Sequence, residues 1–309
     1  MTTKQMEKTV TREILKKVRQ IEVRTRRMVD DTLAGSYHSV FKGRGMNFDE
    51  VREYVPGDDI RVIDWNVTAR TGVPHIKKFT EERELTIMLM IDISGSGGFG
   101  SGAQSKREIM AELGSVLAFS AVRNNDKVGL ILFTDSVELF IPPAKGRRHI
   151  LRVIREILFF QPTGRGTDIG EALDYINRVA KRKCVTFLLS DFCLPGDFED
   201  TLALIRPKMQ ITARRHDLIA IMVNDPRELT LPDVGWITLE DAESGEQIVL
   251  NTGDSWTQNA YHNLAEERRD LFTRTLRSSG IDLLELSTGE PYLVPLTAFF
   301  KSRSKRIRR

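Results

Sequence analysis

The stretch that decides the fold reads Leu85-Thr-Ile-Met-Leu-Met-Ile-Asp92-Ile-Ser94-Gly-Ser96. Its apolar first part is typical of a strand that is buried on both faces of a sheet. The strand ends with a carboxylate, which is followed by two hydroxyl side chains at alternate positions. Oxygen groups that converge on a tightening loop suit a hard cation such as Mg²⁺. The stretch therefore predicts a central strand that ends in a candidate metal site.

Apolar runs alternate with helix-period segments over much of the remaining chain. The predicted strands lie at about 85–93, 128–134, 184–190, 217–224 and 281–287, with a short extra strand from Val137 to Ile141. Near-continuous apolar strands that alternate with helices are typical of a parallel sheet covered on both faces. We therefore predict an α/β domain over residues 85–300, with a doubly wound, mostly parallel sheet.

A β-hairpin is predicted as an insertion into this domain near residues 235–252. Two short strand-like segments there surround a polar Ser-Gly turn. A long charged helix is predicted to follow, from residue 256 to 278. The hairpin interrupts the strand–helix alternation between the fifth and sixth units of the sheet.

The segments outside the α/β domain have a different character. Residues 1–34 have helical periodicity, and this helix either docks on its own domain or binds a partner. Residues 35–84 are predicted to be irregular and β-rich, with paired acids and bases and with Trp65 as an anchor in the core. Residues 301–309 form a basic tail, which we expect to be solvated unless it contacts a polyanion or an acidic membrane surface.

Composition restricts the class of protein. The 309 residues are 29% charged and 40% hydrophobic, as in soluble globular proteins, and the net charge of +3 is too small to indicate nucleic-acid binding. No apolar stretch approaches the roughly 20 residues that a membrane helix needs. The N-terminus lacks the apolar core of a secretory signal. Cys184 and Cys193 have neither metal-ligand nor disulfide-framework spacing, so a cytoplasmic location is expected.

Two further oxygen groups are candidates for the metal site. Thr167 lies in a glycine-rich loop that opens a helix, and Asp191 ends a later apolar strand. If the strands at 85–93 and 184–190 are neighbours, both groups reach the crevice where ligands bind in doubly wound sheets. The predicted ligands of Mg²⁺, with Mn²⁺ or Ca²⁺ as alternatives, are Asp92, Ser94, Ser96, Thr167 and Asp191.

The charges of this set favour recognition over catalysis. Two carboxylates only balance a divalent ion, and if they act partly through water the ion keeps affinity for a carboxylate from outside. No histidine or lysine base is evident beside the motifs, as a hydrolase would require. A structural interpretation also stays open, because Asp and Ser at a strand-to-helix junction commonly cap backbone amides.

The motifs resemble those of a known class. Asp92-x-Ser94-x-Ser96, Gly166-Thr167 and Ser190-Asp191 are similar to the metal-ion-dependent adhesion site (MIDAS) of von Willebrand factor A domains. The preceding segment resembles the signature of a bacterial family catalogued as domain of unknown function fifty-eight: Gly45-Met-Asn-Phe-Asp-Glu-Val-Arg-Glu-Tyr-Val-Pro-Gly-Asp-Asp-Ile-Arg-Val-Ile-Asp-Trp-Asn-Val-Thr-Ala-Arg70. One departure is the glycine-rich stretch after Ser96, where the family often has Met.

The resemblance implies a von Willebrand A (Rossmann-like) fold with its usual sheet order and a partnership with MoxR-type AAA+ ATPases. We therefore expect a non-enzymatic, Mg²⁺-dependent protein-interaction module whose client protein presents a carboxylate. One alternative is a phosphoesterase-like, metal-dependent hydrolase that uses the same crevice. Another is a membrane-surface scaffold that uses the N-terminal helix and the basic tail in peripheral contact.

A dinucleotide-binding site is disfavoured. Gly95-Ser-Gly97-Gly-Phe-Gly100 matches the Gly-x-Gly-x-x-Gly pattern after a strand. That fingerprint expects an acidic residue about 20 residues further on, at the end of the second strand. Here the second strand ends near Asp135, which is too far away, and Asp92 would repel a pyrophosphate.

Overall fold

A computed structural model describes residues 47–80 and 84–307 of the chain. The predicted helix at residues 1–34 lies outside the described residues. The elements, in chain order, are β1 (Asn47–Glu53), α1 (Trp65–Thr71), β2 (His75–Thr80), β3 (Thr86–Asp92), α2 (Lys106–Arg123), β4 (Lys127–Phe133), β5 (Val137–Ala144), α3 (Arg147–Phe159), α4 (Ile169–Val179), β6 (Val185–Ser190), α5 (Phe198–Arg215), β7 (Asp217–Asn224), α6 (Pro226–Leu229), β8 (Trp236–Glu240), β9 (Gln247–Asn251), α7 (Ser255–Ser278), β10 (Asp282–Ser287) and α8 (Leu293–Ile307).

The central sheet has six strands in the order β10-β7-β6-β3-β4-β5. All neighbouring pairs are parallel except β4 and β5, which are antiparallel. The chain leaves β3 towards β4 and later returns to the other side of β3 with β6, so the winding direction reverses between β3 and β6. This reversal point, beyond the carboxyl ends of the two strands, is where such sheets bind ligands. The predicted doubly wound, mostly parallel sheet is confirmed.

Both faces of the sheet are covered by helices. Along β3, Ile87, Leu89 and Ile91 pack into a core with α2, α3 and α8. Met88 and Met90 point to the opposite core, which α4, α5 and α7 complete. Successive side chains of a strand point to opposite faces, so a strand buried on both sides needs an unbroken apolar run. This requirement explains why the stretch at residues 85–91 has no polar alternation.

The segment before the domain contains an antiparallel pair, β1 and β2. The expected pairing of acids with bases is present, since Arg52 bonds to Asp58 at 2.7 Å and Arg61 bonds to Asp59 at 2.9 Å. The prediction that Trp65 anchors the core is wrong, because its side chain is 70% exposed. Asp64 caps α1 at this point, and the tryptophan occupies the first helical position, facing solvent.

The inserted hairpin lies where it was predicted. β8 and β9 form a two-stranded antiparallel sheet of their own, with Trp236 opposite Asn251 and Glu240 opposite Gln247. Most side chains on these two strands are exposed or half-exposed. The long helix α7 follows the hairpin at Ser255, one residue before the predicted start.

The described part of the basic tail, residues 301–307, differs from the solvated tail that was expected. The helix α8 continues to Ile307, and Arg303 within it is buried. The Arg303 guanidinium pairs with Asp217 and with Asp282, the latter at 3.1 Å. These acids begin β7 and β10. The basic residues therefore continue the helix. One of them, Arg303, is buried because it pairs with acids at the amino ends of two strands.

Loss of this buried ion pairing should destabilise the fold. Arg303→Ala removes the buried guanidinium that pairs with Asp217 and leaves Asp282 with Arg306 alone, and we expect a loss of about 3 kcal/mol in the free energy of unfolding. Urea denaturation measures the change. Lys305→Ala is the matched control, since Lys305 lies on the same helix with an exposed side chain. Equal midpoints for the two variants would contradict a structural role for Arg303.

No helix in the described part of the chain is long and apolar enough to cross a membrane.

Candidate metal centre

The structure brings the five predicted ligands to the reversal point of the sheet. Asp92 ends β3, and Asp191 directly follows β6, its parallel neighbour. Ser94 and Ser96 lie on the turn after β3, and Thr167 lies just before α4. All five side chains are buried. The arrangement gives two carboxylates and three hydroxyls at one edge of the sheet.

Hydrogen bonds fix Asp92 at both oxygens. One oxygen accepts a bond of 2.9 Å from the backbone N–H of Ser94, and the other accepts a bond of 2.6 Å from the Ser190 hydroxyl. Burial and the nearby Asp191 raise the pKa of Asp92 above the ordinary value of an aspartate. The raised pKa means that negative charge is costly at this point, so a bound cation would be favoured.

The three predicted hydroxyl ligands come from two loops that are joined by a hydrogen bond. The Ser94 and Ser96 hydroxyls lie 3.1 Å apart, close enough for one to donate to the other. The backbone N–H of Gly95 donates to the Arg165 carbonyl at 2.8 Å, which joins this turn to the loop that carries Thr167. The alternative that these residues cap backbone amides applies to Asp92, which accepts a hydrogen bond from the Ser94 amide. It does not apply to Ser94, whose side chain makes no capping hydrogen bond.

Asp191 stands at a sharp change of chain direction. Phe192, the next residue, has a φ of 55°, in the left-handed region that residues other than glycine seldom adopt. Its buried ring packs on Phe272, with the two centroids 4.4 Å apart, and its N–H donates to the Ser190 hydroxyl at 2.9 Å. Packing holds the strained backbone, and the turn leaves Asp191 directed into the crevice. Strain of this kind concentrates at functional sites.

A buried lysine that sequence reasoning missed lies beside Asp191. The Lys106 ammonium, at the start of α2, is fully buried and donates to Asp191 at 2.5 Å and to Glu228. The sequence predicted that no histidine or lysine base lies beside the motifs, and it did not predict a charged lysine there. Burial lowers the pKa of Lys106, but the two carboxylates outweigh it and leave the pKa above its usual value. The amine stays protonated, so it does not serve as a general base.

Glu243, at the turn of the inserted hairpin, also reaches the site. Its carboxylate accepts a 2.8 Å bond from the Thr167 hydroxyl and is hydrogen-bonded by Ser96. Burial raises the pKa of Glu243, and Asp191 raises it further against the effect of these hydrogen bonds. The sequence predicted the hairpin but not that its tip folds back onto the crevice. The acidic residues at 240, 241 and 243 were the available signal.

The residues present fit a divalent cation that prefers oxygen. Each of the five side chains offers oxygen, and the two carboxylates are held close together away from water. Among the described residues, no three His, Cys, Asp or Glu side chains are grouped so as to hold a metal ion by themselves, without hydroxyl ligands. A set in which hydroxyls outnumber carboxylates differs from such a group, and it leaves more positive charge on the ion. Ligation by these five residues stays a prediction.

Asp225 supports the loop that follows the serine motif. The carboxylate is fully buried and accepts bonds from the Ser101 amide at 2.8 Å, the Ser101 hydroxyl at 2.6 Å and the Thr288 hydroxyl at 2.5 Å. Burial raises the pKa of Asp225, but the hydrogen bonds from Ser101 and Thr288 outweigh it and lower the pKa to about 2. The ionised form of Asp225 therefore joins the glycine-rich loop to the ends of β7 and β10.

This linkage predicts a pH-dependent stability. An unfolded aspartate titrates near about 3.9, so the contribution of Asp225 is complete above that pH and is lost as the pH falls towards 2. Asp225→Asn should lower the free energy of unfolding by about 2 kcal/mol at pH 7. The gap between variant and wild type should narrow between pH 4 and pH 2.5, as followed by urea denaturation. A gap that is constant with pH would exclude this explanation.

Lys106 and a divalent ion should compete for the carboxylate of Asp191. Lys106→Met removes one positive charge and leaves Asp191 and Glu228 unpaired, which should destabilise the metal-free protein by about 3 kcal/mol. Added Mg²⁺ should then raise the melting temperature of the variant more than that of wild type, because ligand binding stabilises the folded state. Thermal unfolding with and without Mg²⁺ measures this. An equal Mg²⁺ effect on both proteins would show that the lysine and the ion do not share Asp191.

The fold and the site together define a class. The strand order of the sheet, its antiparallel edge strand β5 and the Asp-x-Ser-x-Ser turn at the reversal point are those of a von Willebrand A-like domain. The chain belongs to the family described as protein of unknown function DUF58, whose model matches residues 50–271.

Relatives of known sequence cover nearly the whole chain. An uncharacterized protein of Mycobacterium tuberculosis is 32% identical over 290 residues, which are 93% of this chain and 89% of that protein. An uncharacterized protein of Mycobacterium bovis matches with the same identity and coverage.

Solved structures give weaker likenesses. The conserved hypothetical protein BatB from Bacteroides thetaiotaomicron is 15% identical, with a TM-score of 0.42, over 72% of this chain and 99% of that chain. An aerotolerance-related membrane protein from Bacteroides fragilis is 14% identical, with a TM-score of 0.44 and the same coverage. The fold assignment rests on strand order and direction.

Proposed function

We propose that this protein is a non-enzymatic, metal-dependent protein-interaction module that works with a MoxR-type AAA+ ATPase in the assembly or remodelling of protein complexes. The observation that carries the proposal is the convergence of five buried oxygen side chains, with two carboxylates among them, at the reversal point of the sheet. In this proposal Mg²⁺ is held by Asp92, Ser94, Ser96, Thr167 and Asp191, and Mn²⁺ or Ca²⁺ are the alternatives.

The bound ion would supply a coordination position for a carboxylate oxygen from a client protein. The chain's own residues prepare that position, since the hydroxyls of Ser94, Ser96 and Thr167 are neutral, and where the two carboxylates act partly through water the ion keeps affinity for another carboxylate. An acidic side chain from a partner then completes the balance. This division of charge favours recognition of a partner.

The alternative of a phosphoesterase-like hydrolase gains little from the structure. Hydrolysis needs a group that takes a proton from the attacking water. The lysine beside the site is protonated and engaged by two carboxylates. Asp92 is engaged by Ser94 and Ser190 at both of its oxygens.

Space for a partner side chain exists next to the proposed ion. A cavity of about 280 Å³ opens beside Asp191, between the ends of β6 and β7 and the helix α7, and Phe198 and Tyr261 line it. Arg268 stacks over Phe198 at 5.9 Å from the ring centroid and gives the cavity a positive rim. A client segment with an acidic residue followed by an apolar or aromatic residue would suit this surface. The acid would bind the ion, and the next side chain would enter the cavity.

The ATPase partner and the cytoplasmic location belong to the proposal on separate grounds. The MoxR-type partner rests on the family resemblance of residues 45–70, and the location rests on cysteine use. The alternative of a membrane-surface scaffold loses some of its charge, because Arg303 and Arg306 pair with Asp282.

Metal binding is the first step to test. Asp92→Asn and Thr167→Ala should weaken Mn²⁺ binding at least about tenfold in a calorimetric titration, because each removes a proposed ligand or its charge. Asp174→Asn is the control, since it removes a carboxyl on α4 that pairs with Lys208 at 2.7 Å outside the crevice. Unchanged affinity in all three variants would exclude the proposed ligand set.

The partner step is tested with a MoxR-type ATPase of the same organism. The immobilised wild-type protein should retain the ATPase in Mg²⁺ and lose it in EDTA, and Asp92→Asn should retain it poorly in both. Asp174→Asn should behave as wild type. Equal recovery under every condition would contradict a metal bridge, and turnover of phosphate esters abolished by Asp92→Asn would favour the hydrolase.

A further inference from the structure

We infer that Glu243 is an intramolecular ligand of the candidate metal centre, so that the inserted hairpin occupies the position that a partner's carboxylate would take. The inference rests on the proposed function, since it concerns the same crevice. It adds a residue to the site from an element that lies outside the central sheet. It also means that a partner must displace the hairpin tip before it reaches the ion.

The first argument is the choice of contacts that Glu243 makes. Its carboxylate is bonded by the hydroxyl of Thr167 at 2.8 Å and by the hydroxyl of Ser96. Both residues belong to the proposed ligand set, and they come from different loops. Asp191, the proposed ligand that follows β6, is near enough to Glu243 for the two charges to interact. A carboxylate so placed is directed at the centre of the site.

The second argument is that the hairpin turn is shaped for this contact. The Asp241 carboxylate accepts bonds from the N–H groups of Glu243 at 2.7 Å and Ser244 at 3.0 Å, and these bonds fix the direction of the tip. Gly245 closes the turn with a φ of 75°. The tip then lies so close to the serine motif that a Cβ at Gly95 would be 2.5 Å from the Ala242 carbonyl oxygen.

The third argument is that the rest of the hairpin is weakly held. The side chains of Trp236, Ile248 and Val249 are 73%, 56% and 60% exposed. A two-stranded sheet with so little burial is marginal by itself. The tip contact therefore adds to the anchorage at the base of the hairpin, where Thr252 is buried and bonded by Gln258, and the tip itself lies outside the main core.

Electrostatics links the tip to the ion. Without a cation, a further carboxylate near Asp191 is unfavourable, because the two like charges repel each other. With a cation present, the same carboxylate is attracted. A tethered ligand of this kind competes at an effective concentration of order mM. Only a partner that binds more strongly than the tip would engage the site.

The test compares Glu243→Gln with Glu246→Gln, which changes an exposed acid of the same hairpin. Mn²⁺ alone is the probe, titrated by calorimetry. Glu243→Gln should weaken Mn²⁺ binding at least about tenfold, and Glu246→Gln should leave it unchanged. Hydrogen exchange of residues 236–251 is the second measurement. Mg²⁺ should slow exchange there in wild type and in Glu246→Gln, and it should have no such effect in Glu243→Gln.

The outcomes separate this inference from the proposed function. If Glu243→Gln keeps both wild-type Mn²⁺ affinity and Mg²⁺-dependent protection of the hairpin, while Asp92→Asn loses Mn²⁺, the inference fails and the metal site stands. If wild type binds no Mn²⁺, both fail. In the ATPase pull-down, Glu243→Gln should increase the amount recovered in Mg²⁺, and recovery equal to wild type would exclude displacement of the tip.

Discussion

Two buried carboxylates at the ends of neighbouring strands are the constraint on which the rest of this structure depends. Asp92 and Asp191 face one crevice because β3 and β6 are parallel neighbours. Mutual repulsion and burial make their charges costly, as the raised pKa of Asp92 indicates. The surrounding groups are best understood as the means by which the fold tolerates this pair.

Hydrogen-bond donors and one ammonium group offset that cost. Hydroxyl and amide donors satisfy the Asp92 oxygens, and the Lys106 ammonium places a positive charge against Asp191. Asp225 ties the glycine-rich loop between them to β7 and β10. The crevice is thus organised before any ion enters, and an ion would exchange one source of positive charge for a stronger one.

The sequence carries the information for the sheet more fully than for the site. Unbroken apolar runs locate the strands because both faces of the sheet are covered, and the motif at the end of β3 locates one side of the crevice. Lys106 and Glu243 could not be predicted in the same way. Lys106 meets Asp191 across 85 residues of chain, and Glu243 meets Thr167 across 76, so only the folded path of α2 and the hairpin brings them together. Trp65 and Arg303 show the same limit, because residue type alone predicts the wrong exposure for both.

The absence of a side chain at Gly95 allows the hairpin tip to close over the crevice. The hairpin tip approaches the serine turn through the space that a methyl group at this position would fill. A family member with alanine there would keep every oxygen ligand and every charge, yet its hairpin would be held away from the crevice. Closure of the surface would then be governed by one carbon atom, independently of ion affinity, and related chains could differ in resting state while sharing the same chemistry.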